Sequence, residues 1–262
     1  MRVDGGEKEQ NLARAEERLA QAAANGAQLA LLPEALDLGW THPSARRQAE
    51  PIPDGTPTRR LAASARRHKL WVCAGVTERA DSRVFNTAIL IAPGGEVVLR
   101  HRKLNELTIG HECYDQGDQL KVASTDLGNF GLMICADGFA RDRVLSRSLC
   151  YMGADVLLSP CAWAVPAEHD NAATPYGALW HESYKPVAKE FQVWIAAVSN
   201  VGPLTAGPWA GRKCIGSSMV IDPAGWEVAR GPFGENADTI LYTEITPLAR
   251  PARGCGWQER EE

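Results

Sequence analysis

The alternation of apolar and polar positions along the chain predicts a series of helices and strands. Residues 11–24 place leucine and alanine on one face at helical spacing, and an Asn-Gly pair follows as a stop signal. The apolar run at 27–35 is broken by Pro33, which is typical of a short buried strand that leads into a loop. A second helix is predicted over residues 58–68, so the chain begins with a helix, a strand and a helix.

The rest of the chain is predicted to be rich in strands. Residues typical of strands resume at 70–78, and residues 83–103 predict an antiparallel hairpin joined at a Pro-Gly-Gly turn. The other predicted elements are a pair of strands within 121–135, strands at 154–160 and 193–200, hairpin-like strands at 216–229 and 238–245, and helices at 142–152 and 177–191. Because strands alternate with helices, the pattern predicts an α/β fold with a mixed sheet layered against helices.

Composition and charge narrow the class of protein. A chain of 262 residues with 45% hydrophobic content is consistent with one large domain over residues 1–262, in which residues 247–262 form a peripheral tail. The net charge of -4, without a basic face, makes a nucleic-acid partner unexpected. We find no leader-like segment and no apolar run that could span a bilayer, so we expect a soluble, cytoplasmic protein without a membrane partner.

Seven cysteines occur at wide spacing and in odd number, with no C-x-x-C pair. They are Cys73, Cys113, Cys135, Cys150, Cys161, Cys214 and Cys255. This pattern favours reduced thiols over a disulfide framework or a structural zinc site.

Cys135 has two interpretations. The apolar run 132–134 ends on this cysteine, and small and polar residues follow at once. Free cysteine is most often core filling. A strand end that leads into a turn and a helix, however, can expose a nucleophile where the helix N-terminus favours the thiolate.

Glu34 and Lys103 are ambiguous in the same way. Glu34 directly follows Pro33, a pair that suits the first turn of a helix, but a desolvated carboxylate at a strand end could act as a general base. Lys103 lies in a basic cluster of the kind that is usually solvated, but it could stabilise a developing oxyanion. Together with Cys135 they would supply a base, a cation and a nucleophile.

Local strings around these residues resemble the nitrilase superfamily of carbon-nitrogen hydrolases. They are Pro33-Glu34, Arg102-Lys103 and residues 131–137, in that order, and residues 199–202 and 216–229 also look like family strings. The resemblance implies a four-layer αββα sandwich with the site at strand ends. It also implies that the reaction uses no metal and no organic cofactor.

The implied chemistry is acyl transfer through a thioester on Cys135. Glu34 would take the thiol proton, while Lys103 and the main-chain N–H of Ala136 would stabilise the tetrahedral oxyanion. A thiol of pKa about 8.5 is mostly protonated at neutral pH, so the nucleophile needs this activation.

The resemblance also implies a second acid and a substrate pocket. Glu112 precedes Gly117 at the family's spacing and is our choice for the second acid. Glu106 is nearer to Lys103 along the chain and is the alternative. Trp163 is the candidate pocket wall, with ordinary core packing as the other interpretation.

The residues after Cys135 indicate the substrate class. The pair Ala136-Asp137 resembles the amidase and carbamoylase branches, where true nitrilases have Trp-Glu. We therefore expect hydrolysis of a small amide or N-carbamoyl compound. The alternatives are a nitrile hydrolase and a silent, truncated family member that acts as an interaction protein. The resemblance also implies a homo-oligomer, a dimer or larger.

The start of the chain departs from the family pattern. Family members normally begin with a strand before the first helix, whereas this chain begins almost at the helix. The usual first strand is therefore expected to be lacking. An unpaired sheet edge and marginal stability would follow from that loss.

Overall fold

The computed structural model describes residues 1–248, and residues 249–262, which include most of the predicted tail and Cys255, lie outside the described part. Its helices are α1 (Lys8–Ala24), α2 (Ala45–Gln48), α3 (Thr56–His68), α4 (Val144–Tyr151) and α5 (Ala178–Phe191). Its strands are β1 (Leu29–Leu31), β2 (Trp71–Ala80), β3 (Arg83–Ile91), β4 (Val97–Arg102), β5 (Val122–Thr125), β6 (Gly128–Leu132), β7 (Val156–Cys161), β8 (Ala164–Val165), β9 (Trp194–Ser199), β10 (Val201–Pro203), β11 (Lys213–Ile215), β12 (Met219–Ile221) and β13 (Glu227–Arg230). Short 3₁₀ helices cover Thr108–Glu112, Cys135–Phe139 and Arg141–Arg143.

The strands form two large sheets and a small one. The first sheet has the order β1-β2-β3-β4, and the second has the order β13-β12-β9-β7-β6-β5. Strands β6, β7 and β9 are parallel to one another, so their carboxyl ends lie at one edge of the second sheet. A three-stranded sheet, β10-β11-β8, completes the set among residues 1–248.

Alternation along the strands divides the molecule into four layers. On β2, Val72 and Val76 pack with α1 and α3, while Cys73 packs against the second sheet. On β9, Ile195 faces α4 and α5, while Ala196 faces the first sheet. Since successive strand residues point to opposite faces, each sheet has one face on helices and one on the other sheet. The predicted four-layer αββα sandwich is thereby confirmed.

Most predicted elements are present, but the strand predicted at 238–245 is wrong. That segment has no regular secondary structure and pairs with no strand among the described residues. Residues 239–246 instead line a cavity of about 920 Å³, and β1 lines the same cavity. A β-strand needs a partner strand for its main-chain hydrogen bonds, and the cavity lies where that partner would be.

The cavity also explains why β1 is an edge strand. The main-chain N–H of Trp71 donates to the Gln28 carbonyl, and that of Leu32 donates to the Cys73 carbonyl. In a parallel pair alternate residues direct their main-chain groups to the partner strand, so Gln28, Ala30 and Leu32 face β2. The main-chain groups of Leu29 and Leu31 point to the open edge. Among residues 1–248, β1 is therefore an edge strand of the first sheet.

Candidate functional site

Glu34 is held in place by a close approach of its main chain to β2. The chain leaves β1 through Pro33, and Gly75 on β2 both donates to the Pro33 carbonyl (3.1 Å) and accepts from the N–H of Leu36 (2.9 Å). A Cβ on Gly75 would lie 2.6 Å from the Cα of Glu34, so only glycine permits this contact. The N–H of Glu34 also donates to the Cys161 carbonyl at the end of β7, which joins the two sheets at the site (3.2 Å).

Lys103 is the centre of a buried ionic cluster. It directly follows β4, and its Nζ donates to Glu34 Oε1 at 2.8 Å and to Glu106 Oε1 at 3.0 Å. All three side chains are at most 2% exposed. Asn86 on β3 donates to both carboxylates, at 2.6 Å to Glu34 and 3.2 Å to Glu106. The cluster is thus a cation between two carboxylates, fixed by an amide.

Cys135 lies beside this cluster at the start of a 3₁₀ helix. Strand β6 ends three residues earlier, and the main chain of Cys135 has φ of 43°. A positive φ is strained for any residue with a Cβ, and such strain is typical of functional positions. The charges of Glu34 and Lys103 both act on the thiol, so the structure brings the three predicted residues together.

Burial shifts the proton equilibria of the cluster. A hydrogen bond with the Cys161 side chain and desolvation raise the pKa of the Cys135 thiol well above its ordinary value. Desolvation also raises the pKa of Glu34, against the opposing charge of Lys103. Desolvation lowers the pKa of Lys103, but the carboxylates of Glu34 and Glu106 outweigh it and raise that pKa well above its usual range. The resting site therefore holds a neutral thiol, a fixed cation and a carboxylate of increased basicity.

Glu106, and not Glu112, lies beside Lys103. Glu112 is exposed at the end of the 3₁₀ helix Thr108–Glu112, and its main-chain carbonyl accepts a hydrogen bond from Arg46. The position of Glu112 gives no support to its predicted role. The spacing to Gly117 favoured Glu112, whereas the chain after Glu106 leads away from Lys103 and carries Glu112 to the surface.

Ala136 and Trp163 are both buried. Ala136 lies in the first turn of the 3₁₀ helix, where main-chain N–H groups have no partner within the helix. The Trp163 ring stacks on that of Trp180 with 4.7 Å between centroids, inside the core against which Cys135 packs. This packing agrees with the interpretation of Trp163 as a core residue, and its indole Nε1 is buried without a hydrogen-bond partner within residues 1–248.

Three contributors to the site were missed in the sequence. Asn86 could have been noticed, because it is a polar residue inside the apolar run of β3. Cys161 and Asp137 gave no comparable signal, since a buried cysteine and an aspartate near a helix start are both common. Asp137 is fully buried and accepts hydrogen bonds from both segments of the site.

The described residues give two further findings. Within residues 1–248 no group of three His, Cys, Asp or Glu side chains is placed to hold a metal ion. No helix of the described part is long and apolar enough to cross a membrane.

The sequence is similar to known carbon-nitrogen hydrolases along most of its length. It is 30% identical over 243 residues to the deaminated glutathione amidase of Bos taurus, covering 86% of this chain and 69% of that protein. It is 29% identical over 222 residues to the nitrilase of Pyrococcus abyssi, covering 83% of this chain and 77% of that protein.

The fold is shared with solved structures of the nitrilase superfamily. An amidase from Nesterenkonia sp. AN1, solved as a mutant after Michael addition of acrylamide at its active-site cysteine, superposes with a TM-score of 0.74 at 20% identity. The superposition covers 89% of this chain and 87% of that one. The family model described as carbon-nitrogen hydrolase matches residues 5–253. The chain therefore belongs to the carbon-nitrogen hydrolase family, within the nitrilase superfamily.

Proposed function

We propose that this protein hydrolyses the carbon-nitrogen bond of a small amide or N-carbamoyl compound, with Cys135 as the nucleophile. The observation that carries the proposal is the buried cluster of Lys103 between Glu34 and Glu106 beside a strained cysteine. Glu34 Oε2 is buried and accepts no hydrogen bond within the described chain, so one carboxylate oxygen is available for a proton. The similarity to the bovine amidase supports an amide substrate.

In the first half-reaction, Glu34 takes the proton of the Cys135 thiol as the sulfur attacks the amide carbon. The carbonyl oxygen becomes an oxyanion, which Lys103 and the main-chain N–H of Ala136 stabilise. Glu34 returns its proton to the departing nitrogen. The carbon-nitrogen bond breaks, ammonia or an amine leaves, and the acyl group remains on sulfur as a thioester.

In the second half-reaction, water replaces the thiol as the nucleophile. Glu34 takes a proton from the water, the thioester collapses to the acid, and the proton returns to the sulfur. Glu106 takes the place that was predicted for Glu112, because it accepts from Lys103 and Asn86 inside the cluster. We assign Glu106 to holding the cation and the incoming water.

The two rival functions have less support. A nitrile substrate is disfavoured because Ala136-Asp137 follows the cysteine in place of the Trp-Glu pair. A silent interaction protein has no need for a lysine that is 2% exposed between two carboxylates, an arrangement that is expensive to desolvate.

Ammonia release across a panel of small amides, N-carbamoyl amino acids and nitriles tests the proposal. Release from the amide or carbamoyl class is expected, and Cys135→Ala should abolish it. Cys150→Ala, on α4, is the matched control and should retain most of the activity. Release from nitriles alone, or equal release by the Cys135→Ala protein, would overturn the assignment.

We also infer a cytoplasmic homo-oligomer. All six cysteines in the described part are free, which suits a reducing compartment. Val144 and Tyr151 on α4 are 51% and 62% exposed, and Leu179 on α5 is 49% exposed, so the outer helices offer apolar surface to a second copy. A purified protein that scatters light as a monomer at micromolar concentration would contradict the oligomer.

A further inference from the structure

Asp137 is a buried carboxylate that accepts four hydrogen bonds. Its Oδ1 accepts from the main-chain N–H groups of Leu104 (3.1 Å) and Asn105 (2.7 Å). Its Oδ2 accepts from the main-chain N–H of Ile134 (2.9 Å) and from Nε2 of His101 (2.8 Å). The side chain is fully buried, so no water competes for these bonds.

These four donors belong to the two segments that carry the reacting groups. Leu104 and Asn105 come directly after Lys103, and Ile134 comes directly before Cys135. The Asn105 side chain adds a second tie, because its Nδ2 donates to the Ala136 carbonyl at 2.6 Å. The ties cross from the first sheet to the second, so the distance between the cation and the nucleophile depends on them.

The Asp137 carboxylate also fixes the strained main-chain conformation of Cys135. A residue with φ of 43° keeps that conformation only where its surroundings fix it. Asp137 fixes both sides of the turn, because its Oδ2 holds the N–H of Ile134 and its own N–H donates to the Ile134 carbonyl (2.9 Å). Release of this carboxylate would let Cys135 relax away from its present direction.

The side chain of His101 is the fourth donor to the Asp137 carboxylate. It lies on β4 with its side chain 2% exposed, and its Nδ1 has no hydrogen-bond partner within residues 1–248. Nε2 faces the carboxylate of Asp137 and donates to it. Although burial alone would raise it, the hydrogen bond from His101 and the charge of Lys103 hold the pKa of Asp137 below its usual range. The group stays an acceptor for all four donors.

We propose that Asp137 is the positioning residue of the site: its buried carboxylate holds the segment of Lys103 and the turn of Cys135 at their working distance, and His101 fixes the carboxylate. This inference rests on the proposed function, since it assigns Cys135 as the nucleophile. Neither Asp137 nor His101 touches the reacting atoms. Their effect is transmitted through the placement of Lys103 and Cys135.

The test compares His101→Leu with His101→Gln, and adds Asp137→Asn. Glutamine can still donate to Asp137, whereas leucine cannot. We expect His101→Leu to lower kcat about tenfold and Asp137→Asn about a hundredfold, with KM changed by less than about threefold, because a misplacement of about 1 Å has effects of this size. His101→Gln should recover most of the loss. If Asp137→Asn does not fold, the two His101 variants decide.

The second readout is the rate at which iodoacetamide alkylates Cys135, followed by mass spectrometry at that cysteine. It needs no substrate, so it still tests positioning if the amide panel shows no turnover and the proposed function fails. We expect the rate to fall in His101→Leu and to recover in His101→Gln.

A matched control is available in a second histidine-carboxylate pair. His181 on α5 lies 2.6 Å from Glu227 on β13, and among residues 1–248 neither side chain hydrogen-bonds to the segment of Lys103 or of Cys135. His181→Leu should change neither kcat nor the alkylation rate. The proposal is overturned if the folded His101→Leu and Asp137→Asn proteins lose thermal stability alone while the alkylation rate and kcat stay at wild-type values.

Discussion

At the scale of single residues, the site depends on how one lysine is neutralised. Lys103 has two carboxylate partners within 3.0 Å, and Asn86 bridges both of them. Removal of one partner from a buried ion cluster leaves uncompensated charge, which is more damaging than removal of a surface ion pair. The two carboxylates differ in their surroundings, because of the two only Glu34 keeps a buried oxygen without a hydrogen bond among the described residues.

This arrangement predicts opposite outcomes for two neighbouring glutamates. Glu106→Gln should lower kcat about a hundredfold, because loss of an oriented charge at a reacting centre typically has effects of about 10² to 10³. Glu112→Gln should leave kcat within about twofold, since its side chain is exposed and any interaction there is screened. Steady-state kinetics on both variants provide the measurement. A larger loss in Glu112→Gln than in Glu106→Gln would restore the original choice from spacing.

Some residues of the candidate site could be selected from the sequence, and others could not. Glu34, Lys103 and Cys135 could be selected as candidates because each lies in a short recognisable string and the three strings occur in the family's order. The positions of Glu106 and Glu112 relative to Lys103 could not be predicted, because they depend on how a connecting segment turns. Asp137 was equally hidden, since its four donors come from positions 101, 104, 105 and 134. Only the packing of the two sheets brings those positions together.

At the scale of elements, the segment after β1 is fixed to β2 by a second buried acid. Asp37 is fully buried, and it accepts from the main-chain N–H of Thr77 on β2 at 3.1 Å and from its hydroxyl at 3.2 Å. Desolvation raises the pKa of Asp37 to about 6, against these hydrogen bonds. The hydrogen bonds between Asp37 and Thr77, which fix this segment to β2, therefore involve a carboxyl group with a pKa of about 6.

The sign of the resulting pH dependence follows from linkage. The folded protein binds the Asp37 proton more tightly than the unfolded chain, so this contribution to stability is full below about pH 4 and is lost as pH rises through about 6. The difference in the pKa of Asp37 between the folded and the unfolded state corresponds to about 3 kcal/mol of unfolding free energy. Asp37→Asn removes it. From pH 4 to pH 8, the unfolding free energy of the variant relative to wild type should increase by about that amount, as measured by urea unfolding. A difference that is independent of pH would refute the assignment.

Element prediction succeeded where local pattern and pairing agreed. Helix α1, the hairpin of β3 and β4, and the parallel strands β7 and β9 all have strong periodicity and a partner in the fold. The segment 238–245 has the composition of a strand, but it lies along a cavity and not along a partner strand. Strand propensity describes fit to a sheet surface, so it cannot report whether a partner strand is there.

At the scale of the whole molecule, the first sheet has an open edge that faces a cavity inside the sandwich. The floor of the cavity includes Phe130, Leu158 and Ala196 of the second sheet, and α1 contributes Leu19. Met1 lines the same space with a side chain that is 2% exposed, and its amino group lies 3.7 Å from Asp238. Apolar side chains beside a cavity make fewer van der Waals contacts, which lowers the stability of the folded protein. The marginal stability expected from the sequence is consistent with this and remains a prediction.

A strand placed before Met1 should stabilise the protein. Seven residues rich in valine and isoleucine would meet the main-chain groups of Leu29 and Leu31 and fill the cavity. We expect the Tm to rise by about 5 °C or more, because each kcal/mol shifts the Tm of a chain of this size by about 2–4 °C. The control carries seven Gly and Ser residues at the same place. Equal melting temperatures for the two extended proteins, or a wild-type Tm above about 90 °C, would contradict the prediction.

The buried cation between two carboxylates also governs how salt affects the rate. In the proposed reaction Glu34 starts with a negative charge beside the Lys103 cation, and no side chain of the cluster, Glu106 included, is more than 2% exposed. In the proposed reaction that negative charge moves from Glu34 through the sulfur to the carbonyl oxygen, while the total within the buried volume stays constant. Counter-ions in bulk solvent respond to a change in net charge far more than to its relocation over a few ångströms inside protein. The chemical step should therefore proceed at nearly the same rate in dilute buffer and in molar salt.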